Sequence, residues 1–279
     1  MSPISPMQQA TAAMRNGQDI SPQRLTFYQN VLETLNRETL PYLIGGAHAL
    51  SHYTGISRQT KDFDIFIARD DYHRISKVLS HAGYETQLTY PHWLGKVRSD
   101  GEVIDLVFSS GNGIAVVDND WFTHSVAAEL FGAPVRICPA EETIWSKAYI
   151  MERERFDGAD IAHLILAQGQ ELDWSRLFRR FGPHWRLLLS HLVLFGFIYP
   201  AHRDVIPNWI MDELISHLNQ ELQLPAPDTN VCGGTLLSRE QYLNDIDEWQ
   251  YRDARVVPIG NMTEQETVIW TKAIESKKK

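Results

Sequence analysis

Asp62 and Asp64 stand two residues apart at the start of an apolar run, Phe63 to Ala68. That run is rich in Ile and Phe with one charge among them, and its length and neighbours predict a buried strand. The period of two in a strand places both carboxylates on one face. Side by side they repel, and at least one pKa rises unless a cation neutralises them. A hard divalent cation with oxygen ligands, Mg²⁺ above all, suits such a pair and commonly brings a phosphate as a further ligand. A loop cap followed by a solvated strand-end charge produces the same Asp-x-Asp. Three more features favour the chemical reading. Gly45-Gly46 lies between a strand and a helix, where backbone N–H groups and a helix N-terminus can receive a phosphate. Arg58 and Thr60 stand just upstream of the acids, able to orient a phosphate or hold the carboxylates. Asp105 is a single acid inside Val103-Ile104-Asp105-Leu106-Val107-Phe108. A buried unpaired carboxylate costs several kcal/mol, so a metal ligand or a general base accounts for it better than chance.

These residues need elements to position them. Leu25, Tyr28, Val31, Leu32 and Leu35 follow helical spacing over residues 23–35. The strand Tyr42-Leu43-Ile44 runs into the two glycines, and Ala47 to Tyr53 predicts a helix closed by Gly55. After the Asp-x-Asp strand, Asp70 or Asp71 is expected to cap a helix with the stripe Tyr72, Ile75, Leu79 and Ala82, stopped by Gly83. Segments 93–98 and 102–108 flank Ser99-Asp100-Gly101 and predict a hairpin. Pro134 to Cys138 predicts a strand, and Pro139 opens a helix with Glu141 and Glu142 in its first turn that continues through Trp145, Ala148 and Met151. From Gly158 to about His217 the pattern is helical, broken at Gly182-Pro183 and Pro200. Strands and helices mixed early and helices late define an α+β domain followed by a helical one. The organisation is a loosely ordered segment 1–22, a catalytic-type domain 23–140, a helical domain 141–223, and a linker with a C-terminal appendage, 224–279.

The 279 residues, with 26 basic and 35 acidic side chains and a net charge of −9, are an ordinary globular composition. Acidity argues against a protein that coats nucleic acid, since backbone binding depends on Lys and Arg. The two cysteines, Cys138 and Cys232, are isolated from each other and offer neither a disulfide framework nor a four-cysteine zinc site, so a reducing, cytoplasmic location is expected. The greasy stretch Leu187 to Pro200 is too short to cross a membrane, and no signal peptide is expected.

Taken together, Gly45-Gly46, Arg58-x-Thr60-x-Asp62-x-Asp64 and Asp105 resemble the nucleotidyltransferase superfamily of the DNA polymerase β type in its minimal form. The resemblance spans about Leu25 to Gln168. It extends to Glu141-Glu142 and Lys147, followed by Arg153, Arg155, Asp157 and Asp160, which look like the segment after the catalytic core in abortive-infection and toxin-type members. It implies a nucleotidyltransferase fold, a mixed β-sheet flanked by helices and followed by a helical C-terminal domain. It also implies metal-dependent transfer of a nucleoside monophosphate from an NTP such as ATP to an acceptor hydroxyl, with release of pyrophosphate. Gly45 and Gly46 would hold the triphosphate, and Asp62, Asp64 and Asp105 the Mg²⁺ or Mn²⁺ ions. Asp105 would also activate the acceptor hydroxyl, and Lys147 would face the nucleotide phosphates. The implied chemistry is in-line displacement at the α-phosphorus between two metal ions roughly 3.5–4 Å apart. Two departures are visible: the fifteen residues between Gly46 and Asp62 exceed the tightest family spacing, and Gly46 stands where many members use Ser. The acceptor is open between RNA such as tRNA, protein and a small molecule such as an aminoglycoside or lincosamide. A catalytically inactive nucleotide-binding or interaction module is the alternative.

Other residues read as structural. His48 and His52 share a helical face without the Glu of a His-Glu-x-x-His site and are expected to pack or touch nucleotide. Trp174, Phe178, Phe181 and Trp185 are expected in the core, with Arg176, Arg179, Arg180 and Arg186 as a solvated basic face. Ser238 and Gln241 form a capping-box pattern at the start of a helix expected to pack back over the body.

Overall fold

The computed structural model describes residues 20–57, 60 and 62–272. Arg58 and residues 1–19 of the N-terminal segment lie outside the described residues. The chain divides into two compact units, Met1–Pro139 and Ala140–Lys279.

In the first unit, Ser21 caps α1 (Pro22–Arg37) by accepting from the Arg24 N–H, with Pro22 in the first turn. The chain continues through β1 (Leu43–Ile44), α2 (Gly46–Thr54), β2 (Asp64–Phe66), α3 (Tyr72–His81) and β3 (Glu85–Tyr90). Next come β4 (Leu94–Ser99), β5 (Glu102–Val107), the short α4 (Asn119–Thr123), β6 (Val126–Leu130) and β7 (Ala133–Ile137). The seven strands form one mixed sheet in the order β3-β4-β5-β2-β1-β7-β6. β2 runs parallel to β5 and antiparallel to β1, and β1 runs parallel to β7.

Alternation separates the two faces of the sheet. Phe63, Ile65 and Ile67, with Ile104, Leu106 and Phe108, are fully buried. Tyr28 of α1 stacks on Phe63 with ring centroids 4.5 Å apart, and Tyr72 of α3 meets Phe108 edge-on. Asp62, Asp64 and Asp105 therefore point to the opposite face, where the period of two predicts they must go.

The expected elements occur with shifts. Gly55 closes α2 in a left-handed conformation, φ 70°. The β4–β5 hairpin turns on Asp100 and Gly101, both at positive φ, as its Asp-Gly signal predicts. Neither Asp70 nor Asp71 caps α3 through its side chain, because both lie in a 3₁₀ turn, Arg69–Asp71, that leads into it. β3 and β6 are additional strands. Both lie at sheet edges with half or more of their residues at least partly exposed, so neither carries an apolar run.

The second unit contains α5 (Ala140–Ala148), α6 (Gly158–Gln168), α7 (Trp174–Phe181), α8 (Trp185–Ile198) and α9 (Asn208–Leu222), with the expected breaks at Gly182 and Pro200. α5 stops at Ala148 rather than continuing to Met151, which instead bridges to Phe156. Trp174, Phe181 and Trp185 are buried. Beyond 224 the chain forms β8 (Val231–Cys232), α10 (Leu243–Asp247), β9 (Arg252–Asp253) and α11 (Glu264–Lys272). Ser238 accepts from the Gln241 N–H, but no helix starts there, and the Gln241 side chain donates to the Met151 carbonyl instead of closing a capping box. The Ser238 hydroxyl donates to Glu152 at 2.6 Å, so this segment is fastened within its own unit. Among the described residues no helix is long and apolar enough to cross a membrane, and Cys138 and Cys232 are buried thiols that form no disulfide.

Candidate active site

The first unit brings Asp64 and Asp105 together. Parallel pairing of β2 with β5 sets Asp64 directly opposite Asp105. The ladder extends past the strand ends through Asp105 N–H to the Phe63 carbonyl and Ile67 N–H to the Val107 carbonyl, both at 2.9 Å. Asp62 lies just before the strand on the same face, exposed, and its charge acts on Asp105. Thr60 holds the approach to it: its hydroxyl accepts from the Asp62 N–H at 3.2 Å and donates to the Asp62 carbonyl at 3.1 Å.

The two glycines meet this strand from the other side. Gly45 donates its N–H to the Asp64 carbonyl at 3.0 Å. Gly46 opens α2 at φ +55°, and a Cβ built there would stand 1.8 Å from Asp64 Oδ2 and 2.8 Å from its Cγ. Only a residue without a side chain lets the Asp64 carboxylate lie against the start of α2. At Gly45 a Cβ would strike the Phe66 ring at 2.2 Å, and that ring is stacked on Trp121.

Asp105 is not the unpaired acid that its apolar neighbours suggest. Lys96 of β4 is its cross-strand partner, and the Lys96 Nζ donates to Asp105 Oδ1 at 2.5 Å. Burial raises the Asp105 pKa above its ordinary value, and the Lys96 hydrogen bond and charge oppose that rise without cancelling it. Lys96 belongs to no sequence motif, yet a two-residue Asp100-Gly101 turn pairs Ser99 with Glu102 and, counting outward, Lys96 with Asp105. Arg24 is a second such residue. Its Nε donates to Glu102 Oε2 at 2.5 Å, and its charge acts on Asp62. The separation of 78 positions between Arg24 and Glu102 in the chain leaves no local signal. A groove of about 350 Å³ beside this ion pair, lined in part by Phe27, Tyr84 and Asp100, contains none of the three aspartates.

Among the described residues no three His, Cys, Asp or Glu side chains are grouped so as to hold a metal ion. The donor chemistry nevertheless fits a divalent cation at the Asp62–Asp64 end. Mg²⁺ is typically held by one or two carboxylates and completes its shell with water and phosphate. His48 belongs to the core: it packs edge-on against Phe63 and Phe131, and burial drives its pKa down to about 4.

In the second unit, Lys147 Nζ donates to Asp157 at 2.7 Å and to Asp160 at 2.8 Å, with all three side chains largely buried. Both pairs hold the Lys147 ammonium within its own unit. Burial raises the Asp157 pKa, but the bonds from Arg155 and Lys147 outweigh it and hold the carboxyl below its ordinary value. Lys147→Met is expected to destabilise this unit by about 3 kcal/mol, measured by denaturant unfolding. A depressed carboxylate pKa stabilises fully above the unfolded-state value and is lost as pH falls through the folded-state value. The effect of the substitution should therefore shrink in acid. The expected basic face is also partly interior. Arg176 and Arg180 pair with Glu141 at 2.5 Å and Glu142 at 3.0 Å, because the carboxylates in the first turn of α5 neutralise arginines on α7. Arg179 and Arg186 are exposed, and Arg186 pairs with Glu221.

A mixed sheet with two facing strand aspartates and a glycine-opened helix is the architecture that the sequence motifs imply. No protein-family profile and no curated protein matches the chain. Several solved structures are similar to it. One is the antibiotic-resistance factor ANT(2'')-Ia, with 18% identity over 62% of this chain and 98% of that one, at a TM-score of 0.43. Another is the lincosamide antibiotic adenylyltransferase LnuA bound to lincomycin, with 15% identity over 53% of this chain and 98% of that one, at a TM-score of 0.37. A third is an antigenic nucleotidyltransferase-like protein from Paracoccidioides brasiliensis, with 16% identity over 61% of this chain and 92% of that one, at a TM-score of 0.35.

Proposed function

We propose that the chain is a metal-dependent nucleotidyltransferase that moves a nucleoside monophosphate from an NTP to an acceptor hydroxyl and releases pyrophosphate. The observation that carries this reading is the register of β2 against β5. It sets Asp64 beside Asp105 on the face opposite the core while Gly46 brings the start of α2 against the Asp64 carboxylate.

In this reading Asp62 and Asp64 hold Mg²⁺ or Mn²⁺. When bound, the metal supplies charge stabilisation to the phosphoryl oxygens. Gly45 and Gly46 would present the start of α2 to the triphosphate, where first-turn N–H groups and the helix dipole favour an anion. Thr60 fixes the backbone that presents Asp62, and Arg58 is retained as a phosphate-orienting residue from its place in the motif. Asp105 Oδ accepts the proton of the acceptor hydroxyl, and the Lys96 ammonium holds that carboxylate in place. Most of the rate enhancement then comes from positioning and charge neutralisation. The acceptor is an RNA, a protein or a small molecule.

Incubating the full chain with each α-labelled NTP, Mg²⁺ and a mixed pool of RNA, protein and small hydroxyl acceptors tests the reaction. Metal-dependent appearance of label on one acceptor is expected and names it. NTP binding without metal dependence and without transfer would mark a binding module instead. The pH profile tests the base. Because burial raises the Asp105 pKa, the acid limb of kcat/KM should lie above that of an ordinary aspartate. Below that pKa the carboxylate is protonated and no longer serves as a base, so the rate should fall about tenfold per pH unit.

A further inference from the structure

The seven-stranded sheet ends in two unlike edges. β3 is irregular, its register on β4 shifting between Leu88 and Tyr90, and such a bulge turns an edge away from further pairing. β6 runs regularly against β7 through all five of its residues, and among the described residues no strand pairs with its outer side. It holds no Lys, no Pro and a single charge, Glu129, so it lacks the devices that keep an edge from pairing. We infer that β6 is the docking surface for a second copy of this chain: two β6 strands pair antiparallel about a two-fold axis at Ala128 and join the two sheets. β7 and β1 separate this edge from the aspartates of β2, so the inference does not depend on the proposed activity.

The turn determines which backbone groups are available. Phe131 and Gly132, both at positive φ, form a two-residue turn between Leu130 and Ala133, and such a turn is closed by a hydrogen-bonded pair. Alternation from that pair aims the N–H and C=O of Val126, Ala128 and Leu130 at β7 and those of Ala127 and Glu129 outward. On the far side of β7 the Cys138 N–H donates to the Ile44 carbonyl and the Pro134 carbonyl accepts from Asn36, as the same alternation requires. With Ala127 opposite Glu129 of the second copy, the outward groups bond to one another across the two-fold. The neighbouring symmetric registers are worse. One sets Glu129 opposite Glu129, a like-charge pair, and the other calls on Ser125, whose N–H already donates to the Phe122 carbonyl. The side chains fit the same register. Ala128 meets Ala128, where small groups let the strands approach, and Val126, 40% exposed, lies opposite Leu130. On the other face Arg136 of β7 is the cross-strand partner of Ala127, so Glu129 of the second copy stands across a methyl group from it. Glu129 and Arg136 are exposed, and among the described residues neither is in an ion pair. Arg136 donates from Nε and Nη2 to the Ser125 hydroxyl and carbonyl, both at 2.6 Å, which carries its guanidinium to the sheet edge. Two Glu129–Arg136 pairs related by the two-fold complete the interface.

Sedimentation velocity on the full chain, from micromolar to millimolar concentration, tests this without turnover. The parent is expected as a concentration-dependent dimer. Ala127→Pro removes an outward N–H that β7 does not use, and should weaken dimerisation by about tenfold or more while the hairpin stands. Glu129→Arg and Arg136→Glu each set like charges across the two-fold and should weaken it by about tenfold or more. Both change exposed side chains, so the test does not hang on the proline variant folding. The decisive sample is an equimolar mixture of these two single variants. Their heterodimer regains both opposite-charge pairs and should associate within about threefold of the parent. A parent that stays monomeric throughout overturns the inference, as does a dimer that all three substitutions leave unchanged or a mixture that associates no better than its components. Thermal unfolding of each variant establishes that it is folded.

Discussion

Asp64→Ala is expected to lower metal-dependent NTP turnover by roughly a thousandfold or more while the fold survives, and Asp62→Ala to do the same. The two expectations follow from opposite faces of one short strand. Phe63, Ile65 and Ile67 supply the fully buried side that holds β2 in the sheet, and neither substitution touches them. The aspartates lie on the other side, where Asp64 rests on the Gly46 backbone and Asp62 is exposed. Removing either deletes half of the carboxylate pair proposed to hold the cation. Label transfer measures the loss, and circular dichroism with thermal unfolding establishes the intact fold. Retained turnover in both variants would overturn the assignment.

Gly46→Ala should lose activity almost as severely, at least a hundredfold, with a much smaller loss of stability. A Cβ at Gly46 meets Asp64 Oδ2 at 1.8 Å, Cγ at 2.8 Å and Cβ at 3.2 Å, so the carboxylate must rotate away to make room. That rotation is cheap for the fold because a side-chain end moves, but it removes Asp64 from the place where it would bind metal. What remains for stability is the left-handed backbone, φ +55°, which costs an alanine about 1 kcal/mol, or roughly 2–4 °C in Tm for a unit of this size. Gly45→Ala provides the contrast. Its Cβ would enter the Phe66 ring at 2.2 Å, and the ring cannot step aside without breaking its stack on Trp121. There the loss should fall mainly on Tm. Turnover and unfolding measured on both variants separate the two glycines. Equal stability losses with intact activity in Gly46→Ala would show that the close approach to Asp64 has no catalytic use.

Much of the first unit can be read locally. Alternation across Phe63–Ile67 and Ile104–Phe108 places the acids on the face opposite the core, Gly55 and Gly83 stop their helices, and Asp100-Gly101 makes the hairpin. Each depends on neighbours within a few residues, where backbone sterics and periodicity dominate. The edge strands β3 and β6 carry no such pattern, because an edge position does not demand a continuous apolar run. Charge pairing has no such local signature. Asp105 looks unpaired and Arg176 and Arg180 look solvated only as long as their partners are out of view. Glu141 and Glu142 lie more than thirty residues before those arginines.

What the sequence determined by itself is therefore the inventory and its local geometry: an Asp-x-Asp on a strand, a lone acid on another, two glycines before a helix, and a helical second half. The tertiary structure decided which of these groups meet and what neutralises them. It set Asp64 opposite Asp105 through the parallel pairing of strands about forty residues apart, and it brought Arg24 to Glu102 across the unit. Coulombic and hydrogen-bonding partners act through space within a few ångströms, whatever the distance along the chain. The types of the charged residues could be read from the sequence, while their roles depend on the register of the sheet.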